Sequence, residues 1–190
     1  MSTFGGRFQV PLETYHGVPK GWSQTELLAA HRALGGVHPI SGAEATEPGA
    51  PEWLPDRTNW LQYRATMYRI SDGVRAHDTA CIELAVRYIE LRHIGSYSGF
   101  IRARLARALK GATLSKDQVK RLNRIFISVV ESHDYTEEFN SYAKLWARIA
   151  SSEARSLVEA TARRCALPSL RPWLRVFVTN HTKHPPGLPR

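Results

Sequence analysis

Between Gly99 and Phe126 the chain reads GFIRARLARALKGATLSKDQVKRLNRIF. It holds eight cations, Arg102, Arg104, Arg107, Lys110, Lys116, Lys120, Arg121 and Arg124, against one acid, Asp117. Such a cluster is suited to binding polyanions, through counterion release and charge-assisted hydrogen bonds to phosphate or carboxylate oxygens. The stretch carries +7 of the formal net charge of +9, so the basic character is local. Just before it, GSYSGF sets Ser96, Ser98 and Gly99 ahead of a helix start, where free backbone N–H groups and the helix dipole favour an anion. It lacks the GK[ST] ending and preceding strand of a phosphate-binding loop, and a Ser cap after a Gly stop accounts for it more simply.

Two His-Asp pairs, His77-Asp78 and His133-Asp134, resemble the HD class of metal-dependent phosphohydrolases, whose His and Asp ligands converge from several helices. That resemblance implies a hydrolase as a third reading. Both Asp residues are already explained as helix caps, and His31 lies beyond a long linker, so no metal site and no cofactor are expected. Cys81 and Cys165 have apolar helical neighbours and are expected to be buried. They make neither a disulfide framework nor a zinc motif. Cys81 paired with His77 is a weak nucleophile arrangement, and no serine elbow, carboxylate pair or glycine-rich nucleotide fold is present, so the sequence leans away from an enzyme.

The elements that position these residues are helices. Ser23 with Glu26 forms a capping box for a helix that ends at Gly35-Gly36, and Trp22 can staple onto Leu27. Residues 37–55 hold four prolines and read as a linker, making residues 1–55 a peripheral N-terminal arm. Trp60, Tyr63, Met67, Ile70 and Val74 recur at steps of three and four and mark the next helix. Asp78 caps a helix predicted over 79–94, apolar on most sides. The basic helix follows Gly95 and closes at Gly111. Ser115 with Gln118 then caps another, with Leu114 and Val119 as its staple. Tyr135, Phe139, Tyr142, Trp146 and Ile149 predict a helix after Asp134. The last, near 152–165, should bury Ala154, Leu157, Val158 and Thr161.

The fold class is therefore all-α: a compact multi-helix bundle of antiparallel helices over 56–167, flanked by extended N- and C-terminal segments, the latter being 168–190. The caps Asp78, Ser115 and Ser152 recur every 37 residues, which fits a helical-pair repeat. With almost no identity between the intervals, the bundle is preferred. Residues 173–179 have strand-like content but no partner strand.

On helical projection, Lys116, Lys120 and Arg124 form a ridge beside Arg121, opposite Val119, Leu122, Ile125, Phe126 and Val129. Arg104, Arg107 and Lys110 face out from the preceding helix, with Arg102 at its edge. An antiparallel hairpin would merge the two rows into one patch. A face kept merely soluble normally interleaves glutamates, and this one does not. Five or six phosphate contacts imply a salt slope on the order of −5.

The leading expectation is a non-catalytic nucleic-acid-binding protein contacting backbone phosphates through the eight cations. DNA is slightly preferred because no aromatic stacking platform is evident. No helix-turn-helix, zinc finger, RNP or KH pattern is present. The alternative is an adaptor or assembly subunit binding an acidic protein, or itself as a homo-oligomer. A membrane partner is not expected, since the hairpin shows no exposed aromatic wedge. The absence of a secretory start or a long apolar run leads to a cytoplasmic expectation.

Overall fold

The computed structural model describes residues 17–42, 57–95, 97–132 and 138–164. All regular structure among them is helical: α1 (Gln24–Ala33), α2 (Arg57–Arg75), α3 (Thr79–Leu91), α4 (Ser98–Leu109), α5 (Lys116–Ser132), α6 (Phe139–Ile149) and α7 (Ser152–Arg164). No helix among the described residues is long and apolar enough to cross a membrane.

The order of contacts gives the architecture. Helices α1, α3, α5 and α7 pack successively in one row, and α2, α4 and α6 in a second row laid against the first. α1 meets α2, α3 meets α4 and α5 meets α6 across the rows, and α2 also touches α3. This is the neighbour pattern of stacked helical pairs, so the 37-residue cap spacing is a structural register even without residue identity. In the same pattern α4 and α5, joined by the six residues 110–115, do not pack as a pair. The side-by-side basic hairpin expected from the sequence is absent, because each of its helices stacks on its counterpart in the next pair.

Local chemistry sets the element boundaries. The Ser23–Glu26 capping box forms as read. At α5, Ser115 N–H donates to Gln118 Oε1 at 3.0 Å and Gln118 N–H to Ser115 Oγ at 3.2 Å. α3 ends at Leu91, three residues before the predicted stop, because Arg92 turns into the left-handed conformation. The turn brings the His93 carbonyl to the Arg102 guanidinium. Leu91 is consequently exposed, as is Leu157 on α7, both predicted to be inside. The predicted cap at Asp134 with Glu137, the side chain of Thr161 and the segment 168–190 lie outside the described residues.

The apolar core runs between the rows, with α3 at its centre: Cys81, Leu84, Ala85, Val86, Tyr88 and Ile89 are all buried. The N-terminal arm is less peripheral than its composition suggests. Leu27 and Ile40 join the core, each worth about 1.5–3 kcal/mol of side-chain burial. The Trp22 ring meets Tyr88 edge-on at 5.1 Å. Gln24 Nε2 donates to the Gly42 carbonyl at 2.6 Å and to Thr66 Oγ1 at 2.9 Å, tying residues 24 and 42 to α2.

An arginine–glutamate ion pair lies inside this core. Arg102, 6% exposed, donates through Nε and Nη2 to Glu138 Oε1 and through Nη1 to the His93 carbonyl. Removing one partner of a buried pair leaves a desolvated charge, at a cost of about 3–5 kcal/mol. Glu138→Ala should therefore lower unfolding stability by that amount in urea titrations, whereas Lys120→Ala on the exposed face should change it by under about 0.5 kcal/mol. Equal, small effects at both positions would remove the pair from its structural role.

Candidate functional site

The eight cations do not share a face. Arg102 is buried in the Glu138 pair, so its placement at the hinge of α3 and α4 corrects the expectation that it borders a surface patch. Arg104, on the α2–α4–α6 row, binds Asp72 Oδ1 at 3.0 Å, and its guanidinium lies 4.8 Å from the Tyr68 ring centroid. Arg121 is gripped by two carboxylates of α3, Glu83 at 3.0 Å and Glu90. The Glu90 hydrogen bond, followed by the Glu83 bond and the two negative charges, holds its guanidinium even further from deprotonation than usual. These glutamates are the interleaved acids absent from the local sequence, supplied by a neighbouring helix.

Five cations remain exposed: Arg107, Lys110, Lys116, Lys120 and Arg124. Among the described residues no carboxylate pairs with them, and Arg107 makes only a 3.4 Å bond to Ser141 Oγ. Arg107 belongs to the even row, while Lys116, Lys120 and Arg124 stand on α5 in the odd row, whose outer face points the other way. The three α5 cations border a groove of about 550 Å3, which Val119, Asn123 and Ile127 also line and Ser151 reaches from the start of α7. Asn123 is fixed there, accepting from Trp146 Nε1 at 2.9 Å and donating to the Val119 carbonyl at 2.9 Å.

The GSYSGF segment is organised differently from its reading as an anion cradle. Ser96 lies outside the described residues. Ser98 is buried, and its Oγ accepts from Gly95 N–H at 3.0 Å, while the cap position is Tyr97 with φ 60°. An anion is already present: a β-carbon on Gly99 would stand 2.9 Å from Glu138 Oε2. The chain's own Glu138 carboxylate thus lies against the start of this helix, and glycine is what lets it approach.

Two features escaped the sequence reading. The first is an exposed aromatic patch. Phe100 is 67% and Tyr97 46% exposed, their ring centroids 5.6 Å apart, and Arg64 lies over Trp60 at 4.7 Å and Tyr97 at 5.2 Å. With Ile94, 72% exposed, they form an apolar row at the α3–α4 junction, where no exposed aromatic was expected. Helical spacing alone did not show it, since the left-handed Tyr97 rotates the start of α4.

The second is a buried polar cluster where the arm docks. Asp78, at the cap of α3, accepts at Oδ1 from Cys81 N–H at 2.8 Å and pairs there with His31 Nε2 at 3.2 Å. Its Oδ2 accepts from Val37 N–H at 2.7 Å and His38 N–H at 2.9 Å. Burial raises the Asp78 pKa, but the backbone donors of His38, Cys81 and Val37 together outweigh it and hold the carboxyl well below the ordinary range. Burial above all, with the neighbouring Asp78 charge and hydrogen bond, pushes the Cys81 thiol far up. Nε2 of His31, an Asp78 oxygen and Cys81 Sγ all lie within 4.8 Å of one another. His31 had been set aside as lying across a linker, whereas the docked arm brings it to Asp78. His77, by contrast, is exposed in a left-handed turn, and His133-Asp134 lies outside the described residues.

Comparison with protein-family models, curated proteins and solved structures finds no match, so function has to be read from this geometry. A carboxyl whose folded pKa is depressed contributes stability fully above its unfolded value, about 3.9, and loses it as pH falls towards the folded value. The stability difference between the wild type and Asp78→Asn should thus be constant above about pH 5 and shrink below about pH 4, measured as urea midpoints. Limited proteolysis at neutral pH should cleave residues 17–42 faster in the variant.

Proposed function

We propose that this protein binds nucleic acid through backbone phosphates, using the α5 ridge of Lys116, Lys120 and Arg124. The observation that carries this reading is their placement at i, i+4 and i+8 along a groove, with no carboxylate pairing them among the described residues. Arg102 and Arg121 belong to internal ion pairs and leave the contact set, while Arg104 is half engaged by Asp72. Backbone contacts without base reading fit the absence of any groove-reading motif. The preference for DNA over RNA weakens, because Tyr97 and Phe100 offer a stacking surface to unpaired bases.

A second reading, an adaptor that binds an acidic protein segment, is favoured by the exposed row Ile94, Tyr97 and Phe100. Stacked helical pairs present extended surfaces of this kind, and an apolar row needs an apolar partner more than a phosphate chain does.

A titration of duplex and single-stranded oligonucleotides over a salt series separates the two. Three or four phosphate contacts imply a log-log slope of about −3 to −4. The triple substitution K116E/K120E/R124E should abolish binding, with unfolding stability within about 1 kcal/mol of the wild type, as expected for exposed positions. Absence of binding at low salt, or a slope near zero, would sink the phosphate reading.

A further inference from the structure

We propose that His31, Asp78 and Cys81 form a three-donor zinc site that fastens the N-terminal arm to the helical stack. It concerns a different part of the molecule from the α5 ridge and does not rest on the nucleic-acid reading.

The donors come from separate pieces of chain: His31 from α1, Asp78 from the cap of α3 and Cys81 from its first turn. Imidazole nitrogen, carboxylate oxygen and thiolate sulfur form the mixed donor set that zinc takes in tetrahedral sites. His31 Nε2 and Asp78 Oδ1 already stand close to ligand-to-ligand spacing, and Cys81 Sγ lies within 4.8 Å of the other two donors. With bonds of about 2.0–2.3 Å, the edge of a zinc tetrahedron is about 3.3–3.6 Å. His31 Nε2 and Asp78 Oδ1 are 3.2 Å apart, longer than the roughly 2.7–2.9 Å of a charge-assisted hydrogen bond.

Charge balance points the same way. Asp78 is buried, and among the described residues its only ion-pair partner is His31. Buried charges are normally paired or coordinate a metal. One Zn2+ against the Asp78 carboxylate and a Cys81 thiolate leaves the cluster neutral. In the binding step the thiol proton and the proton on His31 Nε2 leave, the neutral ring keeping its one proton on Nδ1, S–Zn and N–Zn bonds form, and no electrons change hands. The His31 ring nitrogen exchanges its contact with Oδ1 for the metal. Asp78 keeps its other partners, since Oδ2 still accepts from Val37 and His38 and Oδ1 from Cys81 N–H.

The surroundings are close-packed, with glycines where the donors need room. A β-carbon at Gly73 would overlap Cys81 Sγ and lie 2.9 Å from His38 Cδ2, so the sulfur and the His38 ring border the same small space. A β-carbon at Gly36 would likewise overlap the His31 ring. Glycine at both positions is what admits the two donors.

The test uses the full chain, purified without chelator, stripped of metal under mild denaturation and refolded with zinc or with Co2+ as a spectroscopic probe. The expected result is one zinc per chain, a thiolate-to-cobalt charge-transfer band with tetrahedral visible bands, and slower proteolysis of residues 17–42. Cys81→Ser should lose the charge-transfer band, and His31→Gln should weaken zinc binding by more than about 100-fold, the upper end of an outer-shell effect. His77→Ala, on the exposed turn, should change nothing. Circular dichroism on each variant reports folding. If both donor variants fail to fold, the band in the wild-type cobalt protein and its loss on adding a chelator decide the matter alone. No stoichiometric uptake, cobalt binding without a thiolate band, or unchanged affinity in folded His31→Gln would each overturn the proposal.

Discussion

A guanidinium inside a helical stack has to be neutralised where it stands, and Arg102 imposes that condition on three elements at once. Its Nη1 requires the His93 carbonyl to turn inward, which the left-handed Arg92 makes possible at the price of ending α3 early. Its Nε and Nη2 require Glu138 at the threshold of α6. Glu138 in turn lies against Gly99, where a side chain would collide with it. The α3–α4 connection, the start of α4 and the start of α6 are therefore fixed by one electrostatic requirement. The left-handed Tyr97 and the exposure of Phe100 occur where that requirement leaves the chain least regular.

Asp78 plays a comparable part for residues 17–42. A carboxylate at the cap of α3 needs one backbone donor for the helix, and this one accepts from Val37 and His38 as well. Those two N–H groups belong to a segment with too few apolar residues to hold itself in place. Ile40 and Leu27 supply hydrophobic anchorage, while the carboxylate fixes the register in which they dock. A helix cap has thus become the point where the arm is attached, close to two imidazoles and a thiol.

Much of the fold could be read from the sequence because its signals are local. Capping boxes at Ser23 and Ser115 act within one turn, and the apolar spacing from Trp60 to Val74 needs no knowledge of a partner. The 37-residue spacing of caps also recorded the stacking of pairs, although low identity between intervals argued for a simple bundle. The bundle is borne out, and its helices also pack in the order that the cap spacing follows. What could not be read was whatever depends on a neighbour distant in sequence. Nothing around Arg102 announces Glu138, 36 residues away, and His31 is 47 residues from Asp78.

The basic stretch illustrates the difference most fully. Lys116, Lys120, Arg121 and Arg124 look alike on a helical wheel, and the absence of glutamate at i,i+4 made them one unbalanced surface. In the stack, the α3 side of α5 faces Glu83 and Glu90, so Arg121 is balanced across helices while the other three are not. Arg104 is balanced by Asp72 of α2 in the same way. A net charge computed along the chain thus overstates what a polyanion meets, because stacking pairs the charges on flanks that face another helix. It leaves uncompensated only those pointing away from every neighbour. On α5, Lys116, Lys120 and Arg124 meet that condition among the described residues, in a groove whose lining also includes Glu131 and Ser151.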